Sequence, residues 1–120
     1  MSETEAKVFI IDDDASVRVS LGRLLRSAGH RCEAFESAES FLRARSPDAD
    51  GWIIADVHMP GMTGVELMDQ VLQSHKSLRI VLITAFDDAE VRLRALEAGV
   101  AVLLKPFDDS VLLAVIGAAP

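Results

Sequence analysis

The chain has 120 residues, of which 50% are hydrophobic, and its net charge is −7. This length suits one domain with its own core, the apolar content argues against disorder, and the acidic balance argues against a nucleic-acid-binding surface. No apolar run approaches the length of a membrane span, residues 1–7 do not resemble a signal peptide, and a single cysteine, Cys32, allows no internal disulfide. We therefore expect one domain over residues 1–120, with its core over about 7–116, in a reducing cytoplasm.

The first quarter of the chain predicts a strand and an amphipathic helix. Residues 8–11 form a continuous apolar run, which is typical of a buried parallel strand. Asp14 or Ser16 would cap the helix that follows, and Gly29 would end it. The apolar face of this helix consists of Val17, Leu21, Leu24, Leu25 and Ala28.

The middle of the chain predicts two further pairs of strand and helix. Residues 31–35 form a more polar stretch that suits an edge strand, and Ser37 would cap a short helix after it. Residues 52–55 form the next apolar strand and lead directly to Asp56. A capping box of the S/T-x-x-E type opens the helix beyond. It consists of Thr63 and Glu66.

The last third predicts two more pairs. Residues 80–83 form a buried strand that ends at Thr84, and residues 101–104 form a short fifth strand that ends at Lys105. The helix between them would end at Gly99. Acidic residues, which favour the amino end of a helix, mark the start of both remaining helices. They are Asp87, Asp88 and Glu90 for the fourth helix and Asp108 and Asp109 for the fifth.

Strands and helices alternate five times, which predicts an α/β fold with a parallel sheet covered by helices on both faces. Polar side chains stand directly after four of the five strands. They are Asp12, Asp13, Asp56, Thr84 and Lys105. Because the carboxyl ends of parallel strands meet at one edge, where such sheets bind ligands, we expect these side chains to lie together.

Three carboxylates at one edge point to cation and phosphoryl chemistry. At about 4 Å and an effective dielectric of about 20, each close pair would repel by about 4 kcal/mol. Protons or a cation must offset this repulsion, and oxygen ligands suit Mg²⁺. A carboxylate can also attack phosphorus, while a metal and a lysine offset the charge and a threonine hydroxyl donates to a phosphoryl oxygen.

Four short motifs, taken in order, resemble the receiver domain of two-component response regulators. They are I-I-D-D-D at 10–14, D-V-H-M-P-G-M-T-G at 56–64, L-I-T-A at 82–85 and L-L-K-P-F at 103–107. The resemblance covers residues 7 to about 116 and is most similar to the FixJ-like branch, whose members often carry a C-terminal helix-turn-helix. It implies a doubly wound (βα)5, flavodoxin-like, three-layer sandwich with strand order 2-1-3-4-5.

The resemblance also implies roles for individual residues. Asp56 would accept a phosphoryl group from a histidine kinase, with Mg²⁺ or Mn²⁺ present. Asp56, Asp13 and the backbone carbonyl of His58 would bind the metal directly, and Asp12 mainly through water.

Further roles concern the switch. Thr84 would turn toward the phosphoryl group, and Lys105 would pair with one of the phosphoryl oxygens. The small side chain of Ala85 would leave the phosphoryl group accessible. The Lys105–Pro106 peptide would be cis. The surface of the fourth helix, fifth strand and fifth helix would then change and control an output such as transcription.

The chain departs from the family pattern near the fifth strand. The family commonly places an aromatic residue three positions before the lysine, where this chain has Val102. The segment from Gly99 to Lys105 is also one residue shorter than usual. The aromatic half of the usual switch is therefore expected to be absent.

Alternative functions remain open from the residues alone. The D-x-D at 12–14 also suits a phosphohydrolase of the haloacid-dehalogenase type, in which Asp12 would be the nucleophile and Asp56 dispensable. A receiver-like interaction module that is never phosphorylated is a third hypothesis. A flavin site is disfavoured because aspartates stand where a phosphate loop would be. Phe86 would either gate the pocket or simply pack.

Expectations beyond this domain follow from the same resemblance. Residues 117–120 are interpreted as the start of a linker to a DNA-binding effector domain outside this chain, and the alternative is a stand-alone receiver. We expect a monomer or weak dimer that dimerises on phosphorylation, without direct nucleic-acid or membrane binding.

Overall fold

The computed structural model describes residues 7–74 and 77–117, in which strands and helices alternate strictly. The strands are β1 (Lys7–Ile11), β2 (Arg31–Phe35), β3 (Gly51–Asp56), β4 (Leu78–Thr84) and β5 (Ala101–Leu104). The helices are α1 (Ala15–Ser27), α2 (Ala38–Ala44), α3 (Gly64–Ser74), α4 (Ala89–Ala98) and α5 (Asp109–Ile116). None of the described helices combines the length and hydropathy that a membrane span requires.

The sheet has strand order β2-β1-β3-β4-β5, and all its pairs are parallel. Ile11 lies opposite Ala55, and Thr84 lies opposite Leu104, so the carboxyl ends align at one edge. The strand order reverses between β1 and β3, which places a ligand crevice between their ends. The predicted doubly wound fold and strand order are confirmed.

Two apolar clusters cover the two faces of the sheet. One packs α2, α3 and α4 against it through residues such as Phe41 and Leu67. The other packs α1 and α5 through residues such as Leu25 and Leu112. Leu25 is fully buried, so we expect its replacement by alanine to cost roughly 2–5 kcal/mol. These clusters hold the strands rigidly and leave the carboxyl edge free for polar residues.

Side-chain caps fix where the helices begin. Asp14 accepts from the Ser16 N–H at 2.9 Å at the start of α1, as one of the two predicted caps. The predicted capping box of α3 is also present, with bonds of 2.9 and 3.2 Å between Thr63 and Glu66. At α4 the cap is Asp88, which accepts from the N–H groups of Glu90 and Val91. The helix therefore starts one residue later than a cap at Asp87 would place it.

β3 and β4 are each at least two residues longer than the apolar runs that predicted them. β3 begins at Gly51, where a Cβ would lie 1.9 Å from the Lys7 carbonyl oxygen, so only glycine permits this pairing. Gly51 in turn pairs with Leu78, which extends β4 toward its amino end. At the other end of β3, Asp56 itself belongs to the strand and lies opposite Ile83.

The carboxyl end of the described chain follows α5. Gly117 ends this helix with φ 83°. The predicted linker start at 117–120 otherwise falls outside the described residues.

Candidate functional site

Three carboxylates meet at the crevice between β1 and β3. Asp12 directly follows β1, Asp13 comes next, and Asp56 ends β3. One oxygen from each lies within 4.8 Å of the others. Asp12 and Asp56 are only 1% and 8% exposed, whereas Asp13 is exposed. The parallel topology thus brings together acids that are 44 positions apart in the sequence (12 and 56).

Lys105 reaches the same cluster from the end of β5. Its Nζ lies 3.4 Å from Asp12 Oδ2 and 3.8 Å from Asp56 Oδ1. The Lys105 N–H donates to the Thr84 carbonyl at 2.7 Å, and the Lys105–Pro106 peptide is cis. The ammonium therefore stands where it can offset negative charge on either buried acid.

Burial dominates the electrostatics of Asp56. It raises the pKa of this carboxyl above its ordinary value, and the neighbouring charge of Asp12 raises it further. Lys105 opposes both effects, and a hydrogen bond from the His58 N–H also lowers the pKa. A divalent cation among these acids would act in the same direction as Lys105 and favour the ionised form.

Hydrogen bonds between side chains and backbone groups orient the loop that carries Asp12. Asp12 Oδ1 accepts from the Asp14 N–H at 2.9 Å. The Arg18 guanidinium donates to the Asp12 carbonyl at 2.8 Å from one turn into α1. This role of Arg18 was not predictable, because an arginine on a helix gives no sign of where its side chain reaches.

The loop between β3 and α3 approaches Asp56 closely. A Cβ at Gly64 would lie 2.4 Å from the Asp56 carbonyl oxygen, so a larger residue would push α3 away from β3. Val57 and Met59 of the loop are buried, while His58 between them is exposed. The loop is thus anchored on both sides of His58, whose backbone N–H lowers the pKa of the Asp56 carboxyl.

Thr84 lies at the end of β4, and its hydroxyl is bonded away from the acids. It accepts from the Phe86 N–H at 3.1 Å and donates to the Phe86 carbonyl at 3.3 Å. Ala85, which follows Thr84, is exposed. Phe86 is 64% exposed, and its ring stands edge-on to the His58 ring, with centroids 5.3 Å apart. Phe86 therefore does not pack into the core, and it stands beside the exposed His58.

A cavity of about 70 Å³ borders Thr84 on the α4 side of the sheet. Its lining includes Phe86, Val91, Val102 and Leu104. Val102 stands where the family pattern expects an aromatic ring, and its small side chain leaves this space open. At the start of the shortened segment before β5, Gly99 ends α4 in the left-handed conformation with φ 72°. β5 still pairs in register with β4.

The donor set fits a hard divalent cation. Carboxylate oxygens are the ligands that Mg²⁺ and Mn²⁺ prefer, and three of them converge here. Two of the acids are buried, so the cluster carries a repulsion that a cation would relieve.

The chain is similar in sequence and in structure to several known proteins. The family model of the response regulator receiver domain matches residues 8–117. The transcriptional regulatory protein FixJ of Bradyrhizobium diazoefficiens is 37% identical over 117 residues, which is 97% of this chain and 57% of that protein. The structure of FixJ-N superposes with a TM-score of 0.83 at 33% identity, over 95% of this chain and 92% of that one. The response regulator StyR gives a TM-score of 0.85 at 43% identity, over 94% of this chain and 58% of that one.

A doubly wound sheet with acids and a lysine at its switch point is the architecture of receiver-type signalling domains. The chain belongs to the response regulator receiver domain family, and its relatives bear out the FixJ-like resemblance. The chain spans about half the length of the curated relatives it matches, 52% and 57% for two of them. Family membership argues against the hydrolase alternative, which would leave Asp56 without a role.

Proposed function

We propose that Asp56 accepts a phosphoryl group from a histidine kinase. The observation that carries this proposal is the convergence of three carboxylates within 4.8 Å, with the Lys105 ammonium beside two of them. Asp12, Asp13, Asp56 and the His58 backbone carbonyl would hold Mg²⁺ or Mn²⁺. When bound, that cation would supply positive charge to the transferring phosphoryl oxygens.

The transfer is a displacement at phosphorus. An Asp56 carboxylate oxygen forms the new bond to phosphorus, while the bond from phosphorus to the donor's imidazole nitrogen breaks and that nitrogen keeps the electron pair. Lys105 pairs with a phosphoryl oxygen and offsets the charge that arrives at a buried acid. Water later attacks the phosphorus, the bond from phosphorus to the Asp56 oxygen breaks, and inorganic phosphate leaves while the carboxylate is restored. The domain thus catalyses its own modification and its reversal, but it is a switch and not a turnover enzyme.

The signal would leave the site through Thr84. To donate to a phosphoryl oxygen, its hydroxyl must give up the bond that it donates to the carbonyl of Phe86, which lies in the connection to α4. Ala85 beside it leaves room for the phosphoryl group. Because Val102 provides no ring, the change would travel through the segment 85–88 and α4.

The output surface is proposed to consist of α4, β5 and α5. Several large apolar side chains are exposed there, which favours burial against a partner. They are Leu93, Leu96, Leu104 and Val111. We infer a cytoplasmic monomer or weak dimer that dimerises through this surface when phosphorylated. Control of transcription through a DNA-binding domain elsewhere in the whole protein is the inferred output, since FixJ is named a transcriptional regulatory protein.

Intact mass after incubation with acetyl phosphate and Mg²⁺ tests the proposal, with Asp56→Ala as the control. We expect a phosphoryl adduct that needs Mg²⁺ and that Asp56→Ala lacks. Consumption of acetyl phosphate by Asp56→Ala would instead support a hydrolase. If no adduct forms and no acetyl phosphate is consumed, the result would support an interaction module that is never phosphorylated.

A further inference from the structure

The loop that joins β3 to α3, residues 57–63, must keep one shape for His58 to stay beside Asp56. Its two ends are fixed by local bonds. The Gly64 N–H donates to the Val57 carbonyl at 3.0 Å, and the capping box fixes the start of α3. These bonds do not reach the middle of the loop, which turns through Gly61 with φ 77°.

A side chain from a different helix holds that middle part. Glu39 lies in the first turn of α2, and its Oε2 accepts from the Met62 N–H at 2.8 Å across 23 residues of sequence. This bond holds the pKa of Glu39 below its ordinary value. The approach is close, since a Cβ at Gly61 would lie 2.5 Å from the same oxygen. Glycine at this position therefore serves both the turn and the contact.

Glu39 also has a simpler explanation. An acid in the first turn stabilises a helix through its dipole, and Glu39 is such an acid in α2. That role needs the negative charge but no particular reach. A role in the loop needs an acceptor at the right distance but not the charge. The two explanations therefore predict different effects for different substitutions.

We propose that Glu39 is a positioning residue for the cation site, because its carboxylate holds the loop in the shape that keeps His58 against Asp56. The proposal rests on the proposed function, in which Asp56 and the His58 carbonyl share a metal. Without the Glu39 acceptor, the partly buried Met62 N–H loses its partner and residues 58–62 gain freedom. Cation binding must then order this segment, and the entropy cost of that ordering lowers the affinity for the cation.

Mg²⁺ affinity, measured by calorimetry on the unphosphorylated protein, tests the proposal with four variants. Glu39→Ala removes the acceptor, and we expect its Mg²⁺ Kd to rise on the order of tenfold, as for other residues that orient metal ligands. Glu39→Gln keeps an acceptor of the same length, and we expect its Kd to stay within about threefold of the wild type. Glu39→Asp keeps the charge but is one methylene too short, so it should weaken binding like Glu39→Ala. Glu36→Ala, which removes an exposed acid one residue before the α2 cap, should not change the Kd.

A second measurement does not depend on the metal. Amide hydrogen exchange of Met62 should quicken in metal-free Glu39→Ala and Glu39→Asp and stay slow in Glu39→Gln. Urea unfolding of each variant shows whether it remains folded, and the Gln and Asp variants preserve the test if Glu39→Ala does not.

The outcomes separate this proposal from the proposed function. If the wild type binds no Mg²⁺, the proposed function fails. If the wild type binds Mg²⁺ and Glu39→Ala binds it equally well, only the positioning role fails. If Glu39→Asp matches the wild type while Glu39→Gln does not, the charge at the helix start is what matters and the positioning role is overturned.

Discussion

The Lys105 ammonium lies 3.4 Å from the Asp12 carboxylate, across 93 residues of sequence. Lys105 therefore has two opposing effects on this site. It offsets the repulsion among the acids and would attract a phosphoryl group, but it also competes with a cation for the same oxygens. Substitution of Lys105 should change these two properties in opposite directions.

Lys105→Met should slow phosphorylation by acetyl phosphate about 100-fold, because one preorganised charge at the transferring group is lost. The same variant should bind Mg²⁺ at least as tightly as the wild type, since no ammonium competes for Asp12 and Asp56. Intact mass against time and calorimetry measure the two quantities. Lys7→Met is the matched control, because Lys7 pairs with Glu33 at the opposite end of the strands. An unchanged phosphorylation rate in Lys105→Met would contradict the role of Lys105.

The raised pKa of Asp56 predicts a dependence of stability on pH. The folded state binds the carboxyl proton of Asp56 more tightly than the unfolded state does. Ionised Asp56 therefore lowers the free energy of unfolding above its folded pKa. This destabilisation is relieved as pH falls toward the ordinary pKa of 3.8. Asp56→Asn should thus be more stable than the wild type at neutral pH, with a difference that shrinks in acid. Urea unfolding between about pH 4 and 8 measures this. Saturating Mg²⁺ should also shrink the difference, and a gap that widens in acid would contradict the explanation.

Thr84→Ala should separate phosphorylation from its consequence. Asp56 should still accept a phosphoryl group, but dimerisation upon phosphorylation should be lost. Alanine has no hydroxyl that could donate to the phosphoryl oxygen in place of the Phe86 carbonyl. Loss of two bonds to the Phe86 backbone should also cost about 1 kcal/mol of stability. Sedimentation with and without acetyl phosphate measures the dimer. Thr84→Ser retains the hydroxyl and should dimerise; equal dimerisation of the alanine variant would contradict the switch.

Val102→Phe should be tolerated, because the added ring can enter the cavity of about 70 Å³ beside Thr84. We expect the free energy of unfolding to change by less than about 1.5 kcal/mol. Val81→Phe is the matched control on the neighbouring strand, where the side chain is fully buried and overpacking should cost about 1–3 kcal/mol. Urea unfolding compares the two. Equal losses for both variants would show that the space beside Val102 does not accept a ring.

Most of the fold was predictable because the signals are local. Apolar runs such as residues 8–11 identify buried strands, and a capping box such as Thr63 with Glu66 identifies a helix start. The clustering of Asp12, Asp56 and Lys105 was predictable from topology, since all three follow parallel strands.

The features that sequence reasoning missed depend on how far side chains reach in the folded molecule. The bond from Met62 to Glu39 and the bond from Arg18 to Asp12 follow no spacing rule. The cap of α4 was ambiguous because Asp87 and Asp88 are adjacent and have the same propensity. The open space beside Val102 became visible only once α4 and β5 had been placed.

The bonds between Thr84 and Phe86 have a thermodynamic consequence. A hydroxyl has a single proton, so Thr84 cannot donate to Phe86 and to a phosphoryl oxygen at once. The two arrangements are mutually exclusive states, and each ligand of the domain shifts the balance between them. Suppose that a partner binds only the state with Thr84 turned inward. Phosphorylation then raises the affinity for this partner by some factor, and by reciprocity the bound partner shifts the phosphorylation equilibrium toward the phosphorylated form by the same factor. The output partner would thus influence how much of the domain is phosphorylated, without contacting Asp56.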